Sequence, residues 1–203
     1  ILVAAMAVAS IGAVWSSCPP EFGIPSVVDR FKQLEPKFFF AVDGYRYAGK
    51  DHDSMEVVAS IRQSLPSVET TVILPYLNPS TDTTVVEGAI TWNQLLEPGQ
   101  DLIFEPVPFD HPLWVVYSSG TTGVPKAIAL SHGGVLLEQF KTHSLHMDIK
   151  PDDRAFWFTT TGWVMWNILI GVMLHGAAVM FYDGSPFHPT NDALWKFAED
   201  TKM

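Results

Sequence analysis

The stretch VVYSSGTTGVPK, residues 115–126, gathers small hydroxyl side chains, glycines and one lysine directly after an apolar run. Hydroxyls and the backbone N–H groups of a glycine-rich loop donate hydrogen bonds to anions, and a lysine at the end of such a loop adds a full positive charge. Glycine also lets the backbone come close to a ligand. The pattern therefore indicates a polyphosphate site built from Ser118, Ser119, Gly120, Thr121, Thr122, Gly123 and Lys126.

Two familiar motifs do not fit this spacing. The Walker motif needs a Ser or Thr after its lysine, where this chain has Ala127, and its glycines stand farther apart than Gly120 and Gly123. The sequence also has no G-x-S-x-G nucleophile elbow. Gly, Ser and Thr fill ordinary turns as well, so the composition of the loop leaves a plain turn as an alternative.

The other reactive side chains are predicted to be structural. Cys18, the single cysteine, is followed by two prolines, which favours a small buried side chain over a nucleophile. His143 and His146 could share a helical face, but no third ligand follows at metal spacing, so solvated or capping histidines are predicted and no metal site. Several carboxylates beside turn signals are predicted to cap helices or to remain in water: Asp51, Asp53, Asp152 and Asp153.

Predicted helices and strands alternate along the chain, which is typical of βαβ units on a parallel sheet. These elements must position the residues named above. An opening helix buried on most sides is followed by the strand GAVWSS, a helix closed by Pro36, the buried strand KFFFAV, a helix over 54–65 and the strand TTVILPY. Residues 78–112 are predicted to form a surface connection with one brief helix, TWNQLL.

The second half is more regular. The strands LWVVYSS, AIALS, RAFWFTT and AAVMFYD are predicted, with helices over 134–147, in WNILIGVMLHG and in DALWKFAEDTKM. Their apolar character indicates sheets flanked by helices, so the predicted fold class is α/β. The glycine-rich loop follows LWVVY at the carboxyl end of a strand, where α/β sheets bind their ligands.

The charge balance argues against nucleic acid and anionic lipid as partners. The 203 residues carry a net charge of −10 from 12 basic and 22 acidic side chains, without long runs of either sign. The apolar opening is shorter than the ~20 residues of a membrane span, so no span is predicted. A single cysteine rules out an internal disulfide and indicates a reducing compartment, the cytosol.

YSSGTTGVPK resembles the phosphate-binding signature of the AMP-forming acyl-adenylate enzymes, which include acyl-CoA synthetases, luciferases and peptide-synthetase adenylation domains. Residues 156–186 resemble the acetyl-CoA synthetase branch, and GWVMWN and FYDGSP within them are most similar to the enzymes that activate acetoacetate. Three upstream stretches resemble the same enzymes: GAVWSSCPPEFG, VVDRFKQLEPK and DGYRYAGKDHD. Residues 68–106 match them only loosely. A glycine commonly follows the lysine in this family, so Ala127 is expected in an ordinary β conformation.

The resemblance implies an acid–thiol ligase that works in two steps. A short-chain carboxylic acid, here acetoacetate, attacks ATP to give an acyl-adenylate and pyrophosphate, and the thiol of coenzyme A then expels AMP. ATP, Mg2+ and coenzyme A are the implied cofactors. Lys126 and Thr121 are the implied catalytic residues, because with the rest of the loop they would stabilise the departing pyrophosphate.

The resemblance also implies two further sets of contacts. Trp163, Val164 and Met165 would line the acyl pocket, although such residue types at this spacing usually lie in a core. Arg46 and Lys50 would contact the phosphates of coenzyme A, although the arginine is displaced by one position and exposed basic residues on a loop are commonly solvated charges.

Residues 1–203 are, by the same resemblance, part of the large N-terminal AMP-binding domain of such a synthetase. The adenine and ribose contacts and the C-terminal domain with its catalytic lysine are expected outside them, so the remainder of its own chain is an expected partner. A synthetase for acetate, propionate or another short acid, and a non-catalytic nucleotide-binding module, stay as alternatives.

Overall fold

The computed structural model of the chain describes residues 1–99, 101–118 and 123–203. Its strands are β1 (Trp15–Ser16), β2 (Phe38–Val42), β3 (Gly44–Tyr47), β4 (Lys50–Asp53), β5 (Thr70–Leu74), β6 (Ala89–Thr91), β7 (Pro112–Tyr117), β8 (Ala127–Ser131), β9 (Arg154–Phe156) and β10 (Ala178–Met180). Its helices are α1 (Leu2–Ser10), α2 (Ile24–Phe31), α3 (Met55–Ser64), α4 (Trp92–Leu95), α5 (His132–Lys141), α6 (Val164–Ile170) and α7 (Ala193–Thr201).

The described residues divide into two compact units. The first unit contains Ile1–Pro19, Leu102–Val116 and Ile128–Met203, and the second contains Pro20–Asp101 and Tyr117–Ala127. The described ends of the loop between β7 and β8, Ser118 and residues 123–126, therefore belong to the second unit, together with α2, α3 and the hairpin of β3 and β4.

A parallel sheet with the strand order β2-β5-β6 lies at the centre of the second unit. Val72 and Ile73 of β5 are almost inaccessible to solvent, as expected for the middle strand of a covered sheet. Helix α3 buries Val58 and Ile61, one turn apart on the same face. Helix α2 starts with Pro25 in its first turn, which suits the fixed φ of proline, and packs against α3.

The first unit contains a sheet with the order β1-β7-β8 and a separate parallel pair of β9 and β10. In the first of these sheets Trp15 pairs with Trp114, and both indoles are buried. Helix α6 connects β9 to β10 and buries Trp166, Leu169 and Ile170, so β9-α6-β10 is a βαβ unit. The predicted α/β class is confirmed, with several small sheets among the described residues instead of one large one.

Three strands were missed by the sequence patterns: β3 and β4, which form a hairpin, and β6. The segment GYRYAGKD, predicted as a turn and loop, forms an antiparallel hairpin in which Arg46 pairs with Asp51 and Tyr47 with Lys50. Its strands expose polar side chains on both faces, so they lack the alternation of apolar and polar residues that marks a strand. Strand β6 lies inside the predicted surface connection and adds only three residues to the sheet.

Three helices end at earlier residues than the sequence patterns predicted. Helix α2 ends at Phe31, before Pro36, and α5 passes at Lys141 into a π-helical turn over Thr142–His146. Helix α6 is followed by a 3₁₀ turn that begins at Gly171, where an added Cβ would overlap the side chain of Gln139.

The opening helix is less buried than its composition predicts. Ala4 and Ala5 of α1 are buried, but Val3 is 67% exposed. No helix within the described ranges has the length and apolar character to cross a bilayer.

Candidate active site

The two ends of the glycine-rich loop are joined by a pair of hydrogen bonds between Ser118 and Lys126. The backbone N–H of Ser118 donates to the carbonyl oxygen of Lys126 at 3.0 Å. The Lys126 N–H donates to the Ser118 Oγ at the same distance of 3.0 Å. The loop is thus closed at its base by one residue from each end, and the hydroxyl of Ser118 holds this closure.

Four of the predicted phosphate-binding residues lie outside the described residues: Ser119, Gly120, Thr121 and Thr122. The structure therefore does not test the predicted catalytic role of Thr121. Gly123, on the far side, is exposed, and a Cβ added to it would meet open space. Its surroundings therefore leave room for a ligand beside the backbone.

The side chain of Lys126 is exposed, and none of the ion pairs found in the described parts of the chain includes it. An unpaired ammonium group next to an anchored loop is suited to bind an anionic ligand. The following residue, Ala127, opens β8 and is not among the residues with positive φ. The expectation of an ordinary β conformation at Ala127 is therefore confirmed.

Helix α2 and the turn that follows it support both ends of the loop, which the sequence patterns did not predict. The Gln33 amide hydrogen-bonds the Pro125 carbonyl oxygen at 2.9 Å and the Ala127 N–H at 3.1 Å. The guanidinium group of Arg30 lies 5.7 Å from the ring centroid of Tyr117, which directly precedes Ser118. Arg30 lies in the last turn of α2 and Gln33 just beyond its end, and no local sequence pattern links either residue to a loop so distant in the chain.

The hairpin of β3 and β4 carries the two basic residues predicted to bind coenzyme A. Arg46 pairs with Asp51, donating from Nε to Oδ1 and from Nη2 to Oδ2 at 3.1 Å. The hydrogen bond from Arg46 holds the pKa of Asp51 below its ordinary value. The Asp51 side chain is 54% exposed, so the prediction that it remains in water holds, and its carboxylate is also paired with Arg46.

Arg46 and Lys50 lie on opposite faces of the hairpin. Neighbouring residues of a strand point to opposite faces, and residues paired across strands point to the same face. Because Arg46 pairs with Asp51 and Tyr47 with Lys50, the lysine shares its face with Tyr47. The hairpin thus presents an exposed lysine on one face and an arginine–aspartate pair on the other.

The segment before α6 lies close to the segment after β1. The hydroxyl of Ser17 donates to the carbonyl oxygen of Thr161 at 2.5 Å. A Cβ added to Gly162 would overlap the ring of Pro19, so glycine is required by this close approach. The two contacts position the backbone directly before Trp163.

Of the predicted acyl-pocket residues, Trp163 is 65% exposed and Val164 is 37% exposed. Neither side chain is packed in a core, so the alternative explanation for these two residues does not apply. Met165 is half-buried and lines a mainly apolar cavity of about 580 Å³, to which Trp157 and Ile168 also contribute. The three predicted residues thus follow one another from an exposed helix start to the wall of a cavity.

Asp43 is a buried carboxylate that the sequence analysis did not single out. Its oxygens accept hydrogen bonds from the N–H groups of Tyr76, Leu77 and Asn78 at 2.7–2.9 Å and from the Thr81 hydroxyl at 2.6 Å. Burial raises its pKa, but the hydrogen bonds from Thr81 and the three backbone groups outweigh burial, so the pKa lies below its ordinary value. Asp43 therefore fixes the chain that follows β5.

The two predicted surface histidines differ in burial. His146 is exposed, but His143 is fully buried, so the prediction of a solvated or capping role is wrong for His143. Burial, and then the charge of the neighbouring His175, lower the pKa of His143. His143 packs edge-on against His175, at a centroid distance of 5.7 Å. Among the described residues, no group of His, Cys, Asp or Glu could hold a metal ion.

The remaining structural predictions hold in part. Asp53 Oδ1 accepts from the N–H of Met55 at 2.9 Å and so caps the start of α3, as predicted. Asp152 is exposed, and Asp153 accepts from the Lys150 N–H at 2.7 Å within a turn. Cys18 is half-buried, not fully buried as predicted.

The described fold and loop are those expected of an enzyme that binds the phosphates of a nucleotide. The family model of the AMP-binding enzymes matches residues 1–203, so the chain belongs to that family. It is 45% identical over 196 residues to the acetoacetyl-coenzyme A synthetase of Rhizobium meliloti, covering 95% of this chain and 30% of the relative. It is 38% identical over 196 residues to the malonamoyl-CoA synthetase of Penicillium aethiopicum, covering 92% of this chain and 27% of the relative.

A solved structure agrees with these relatives. The acetoacetyl-CoA synthetase from Streptomyces lividans superposes with a TM-score of 0.93 at 49% identity, covering 98% of this chain and 30% of that chain. The chain therefore spans about 30% of the length of the curated relatives it matches.

Proposed function

We propose that the protein carrying this chain is an AMP-forming acid–thiol ligase that converts acetoacetate, ATP and coenzyme A into acetoacetyl-CoA, AMP and pyrophosphate. The observation that carries the proposal is the loop closed by Ser118 and Lys126, whose exposed lysine forms no ion pair with the described residues, in a chain of the AMP-binding family. Residues 1–203 are assigned to the large N-terminal AMP-binding domain of such a ligase, and the cytosol to its location because Cys18 is the single cysteine.

In the first step a carboxylate oxygen of the acid attacks the α-phosphorus of ATP, and the bond from that phosphorus to the bridging oxygen of pyrophosphate breaks. Negative charge accumulates on the departing pyrophosphate, and preorganised donors stabilise charge that develops in a transition state. Lys126 and Thr121 are assigned this task, together with the hydroxyl and N–H groups of the loop. Positioning by the loop also keeps the leaving group in line with the attacking oxygen.

ATP is expected to enter as its magnesium complex. The described residues offer no acidic cluster for a resident metal ion. Mg2+ is commonly bound through substrate phosphates and waters, with few protein ligands, so this chain fits MgATP as the substrate. The charge of the ion would reduce the repulsion between the phosphates that a single lysine cannot neutralise.

In the second step the sulfur of coenzyme A attacks the carbonyl carbon of the acyl-adenylate, AMP leaves, and the thiol proton is released. Lys50 is assigned to the phosphates of coenzyme A, because it is exposed and lies on the hairpin face opposite the Arg46–Asp51 pair. Arg46 would need to exchange Asp51 for the phosphate, so it is the weaker of the two predicted contacts.

The acid is expected to carry a carbonyl group at its third carbon. The two relatives named above transfer acetoacetyl and malonamoyl groups, and both groups have this carbonyl. Trp163, Val164 and Met165 are assigned to the pocket, where Trp163 would cover the acyl chain with a large aromatic surface.

The test is acid-dependent exchange of labelled pyrophosphate into ATP by the full-length protein that carries this chain. We expect exchange with acetoacetate at least about tenfold faster than with acetate or propionate, which corresponds to roughly 1.4 kcal/mol in the transition state. Equal rates with acetate would support the alternative of a short-acid synthetase. ATP binding without exchange for any acid would support a non-catalytic nucleotide-binding module and contradict the proposal.

A further inference from the structure

The side-chain amide of Gln33 is fully engaged with backbone groups. Its Nε2 donates to the carbonyl oxygens of Asp29 at 2.8 Å and of Pro125 at 2.9 Å. Its Oε1 accepts from the N–H of Ala127 at 3.1 Å. An exposed glutamine loses rotamer freedom when it is held in one conformation, so this arrangement forms only because the three backbone contacts offset that loss.

Lys126 lies between the two loop residues that Gln33 holds. The Pro125 carbonyl and the Lys126 N–H belong to one peptide plane, and the Lys126 carbonyl and the Ala127 N–H belong to the next. Ser118 bonds the two backbone groups of Lys126, and Gln33 bonds the other two. All polar groups of the two peptide planes that flank Lys126 are therefore hydrogen-bonded, and the direction in which its side chain leaves the backbone is fixed.

Helix α2 also contacts the other end of the loop through Arg30. The guanidinium group lies 5.0 Å from the ring centroid of Phe22 and 5.7 Å from that of Tyr117. Its Nη1 donates to the carbonyl oxygen and the hydroxyl of Ser26, at 2.7 and 2.6 Å, which holds the group in place. Helix α2, through Arg30, and the turn directly after it, through Gln33, thus contact the residues at both ends of the loop and together support a phosphate site.

We propose that Gln33 is a positioning residue for the polyphosphate of ATP and that it acts through Lys126. A lysine side chain is long and flexible, so the position of its ammonium group depends on how well its backbone is fixed. Displacing a charged group by about 1 Å can reduce a rate by a factor of roughly 100, so a backbone anchor at this point affects binding and catalysis. The inference rests on the proposed function in taking MgATP as the ligand of the loop.

The experiment compares MgATP binding by calorimetry in the full-length protein and three variants: Gln33→Met, Lys126→Met and the double substitution. Methionine keeps the length of the Gln33 side chain but can neither donate to Pro125 nor accept strongly from Ala127. We expect Gln33→Met to weaken MgATP binding about tenfold, since it removes more than one hydrogen bond at the anchor. In the Lys126→Met background the same change is expected to have no further effect, because residues that act as a unit are not additive.

A second readout separates positioning from general damage. Gln33→Met is expected to slow formation of the acyl-adenylate about tenfold, while the transfer of a supplied acyl-adenylate to coenzyme A keeps its wild-type rate, because no pyrophosphate takes part in that step. Gln63→Met is the matched control, since Gln63 is an exposed glutamine of α3 in the same unit. It is expected to bind MgATP like the wild type.

Three results would overturn the proposal: unchanged MgATP affinity in Gln33→Met, losses that multiply in the double variant, or an equal slowing of both steps. A wild-type protein that binds MgATP but catalyses no acid-dependent exchange would contradict the ligase function alone. The comparison of MgATP affinities among the variants would still decide the role of Gln33 in that case.

Discussion

Lys126 combines a fixed backbone with an exposed ammonium group that forms no ion pair with any described residue, which is the arrangement expected of a residue that neutralises charge on a ligand. We expect Lys126→Met to lower the rate of acid-dependent pyrophosphate exchange by a factor of about 100 to 1,000, because one donor to developing charge is commonly worth that much. Exchange of labelled pyrophosphate at saturating acid measures it.

Lys32→Met is the matched control for Lys126→Met. Lys32 is an exposed lysine in the same unit, next to the end of α2. We expect its removal to change the exchange rate by less than about twofold, as for an ordinary surface charge. An equal loss in both variants would mean that net charge, not the position of Lys126, controls the rate.

Asp43 is expected to contribute mainly to stability, since its carboxylate accepts from three backbone N–H groups and from Thr81. Asp43→Asn replaces one acceptor oxygen by a donor that faces other donors, and should lower the free energy of unfolding by about 2–4 kcal/mol. Urea denaturation at pH 7 measures this difference. Asp82→Asn is the control, because exposed Asp82 caps a short turn and Asn caps about equally well.

The pH dependence of this difference follows from the lowered pKa of Asp43. A carboxyl whose pKa is lower in the folded state contributes stability above its unfolded pKa of about 3.9 and loses it as the pH falls through the folded pKa. The stability difference between wild type and Asp43→Asn should therefore shrink below about pH 4. A difference that stays constant down to acid unfolding would contradict this assignment.

At the scale of elements, the hairpin of β3 and β4 separates two basic residues that are close in sequence. Lys50 is exposed beside Tyr47, while Arg46 on the other face is paired with Asp51. We expect Lys50→Ala to raise the KM for coenzyme A about tenfold, as loss of one charged hydrogen bond would. Steady-state kinetics with coenzyme A as the varied substrate measure this change.

Arg46→Ala provides the comparison within the same hairpin. Its expected increase in KM for coenzyme A is below about threefold, because an exposed ion pair contributes little and the arginine is already engaged. Neither variant should change the rate of pyrophosphate exchange, which does not require coenzyme A. A larger effect of Arg46→Ala than of Lys50→Ala would show that Arg46 leaves Asp51 to bind the substrate.

At the scale of the whole molecule, the stretch from Leu102 to Phe104 exposes three consecutive large apolar side chains, each at least 69% accessible. Contiguous exposed apolar surface drives association in water. We expect the polypeptide of residues 1–203 by itself to self-associate with rising concentration, and Ile103→Lys to reduce this. Sedimentation velocity over a concentration series measures it, with Val85→Lys, at an isolated exposed valine, as the control.

Val85→Lys should leave the association unchanged, because Val85 has no comparable run of large apolar neighbours. Sedimentation as a monomer at every concentration would contradict the prediction. So would equal behaviour of Ile103→Lys and the unchanged polypeptide.

The sequence predicts the elements whose periodicity is strong and whose partners are near. The alternation that indicates βαβ units is borne out by β9-α6-β10, and the order of hydroxyls and glycines before Lys126 indicates the phosphate loop. The β3–β4 hairpin was not predicted because both of its faces carry polar side chains, Arg46 and Asp51 on one face and Lys50 on the other. Its two-residue turn of Ala48 and Gly49, both with positive φ, was the weak local signal.

The features that sequence patterns cannot give depend on contacts between distant segments. Gln33 reaches its loop partners across more than 90 residues, and Ser17 reaches Thr161 across 144 residues. Polarity likewise predicted a solvated His143, whereas packing of α6 and its following turn excludes water from the ring. Pairings of this kind are set by the whole fold, so local propensity leaves them undetermined.

The contact between Gly162 and Pro19 limits how the proposed acyl pocket can change in related proteins. Because the backbone of Gly162 lies directly against the ring of Pro19, there is no space between the two segments that could be given up to a larger substrate. We therefore expect related proteins to differ in the side chains at Trp163, Val164 and Met165, while the backbone beneath these side chains follows the same path.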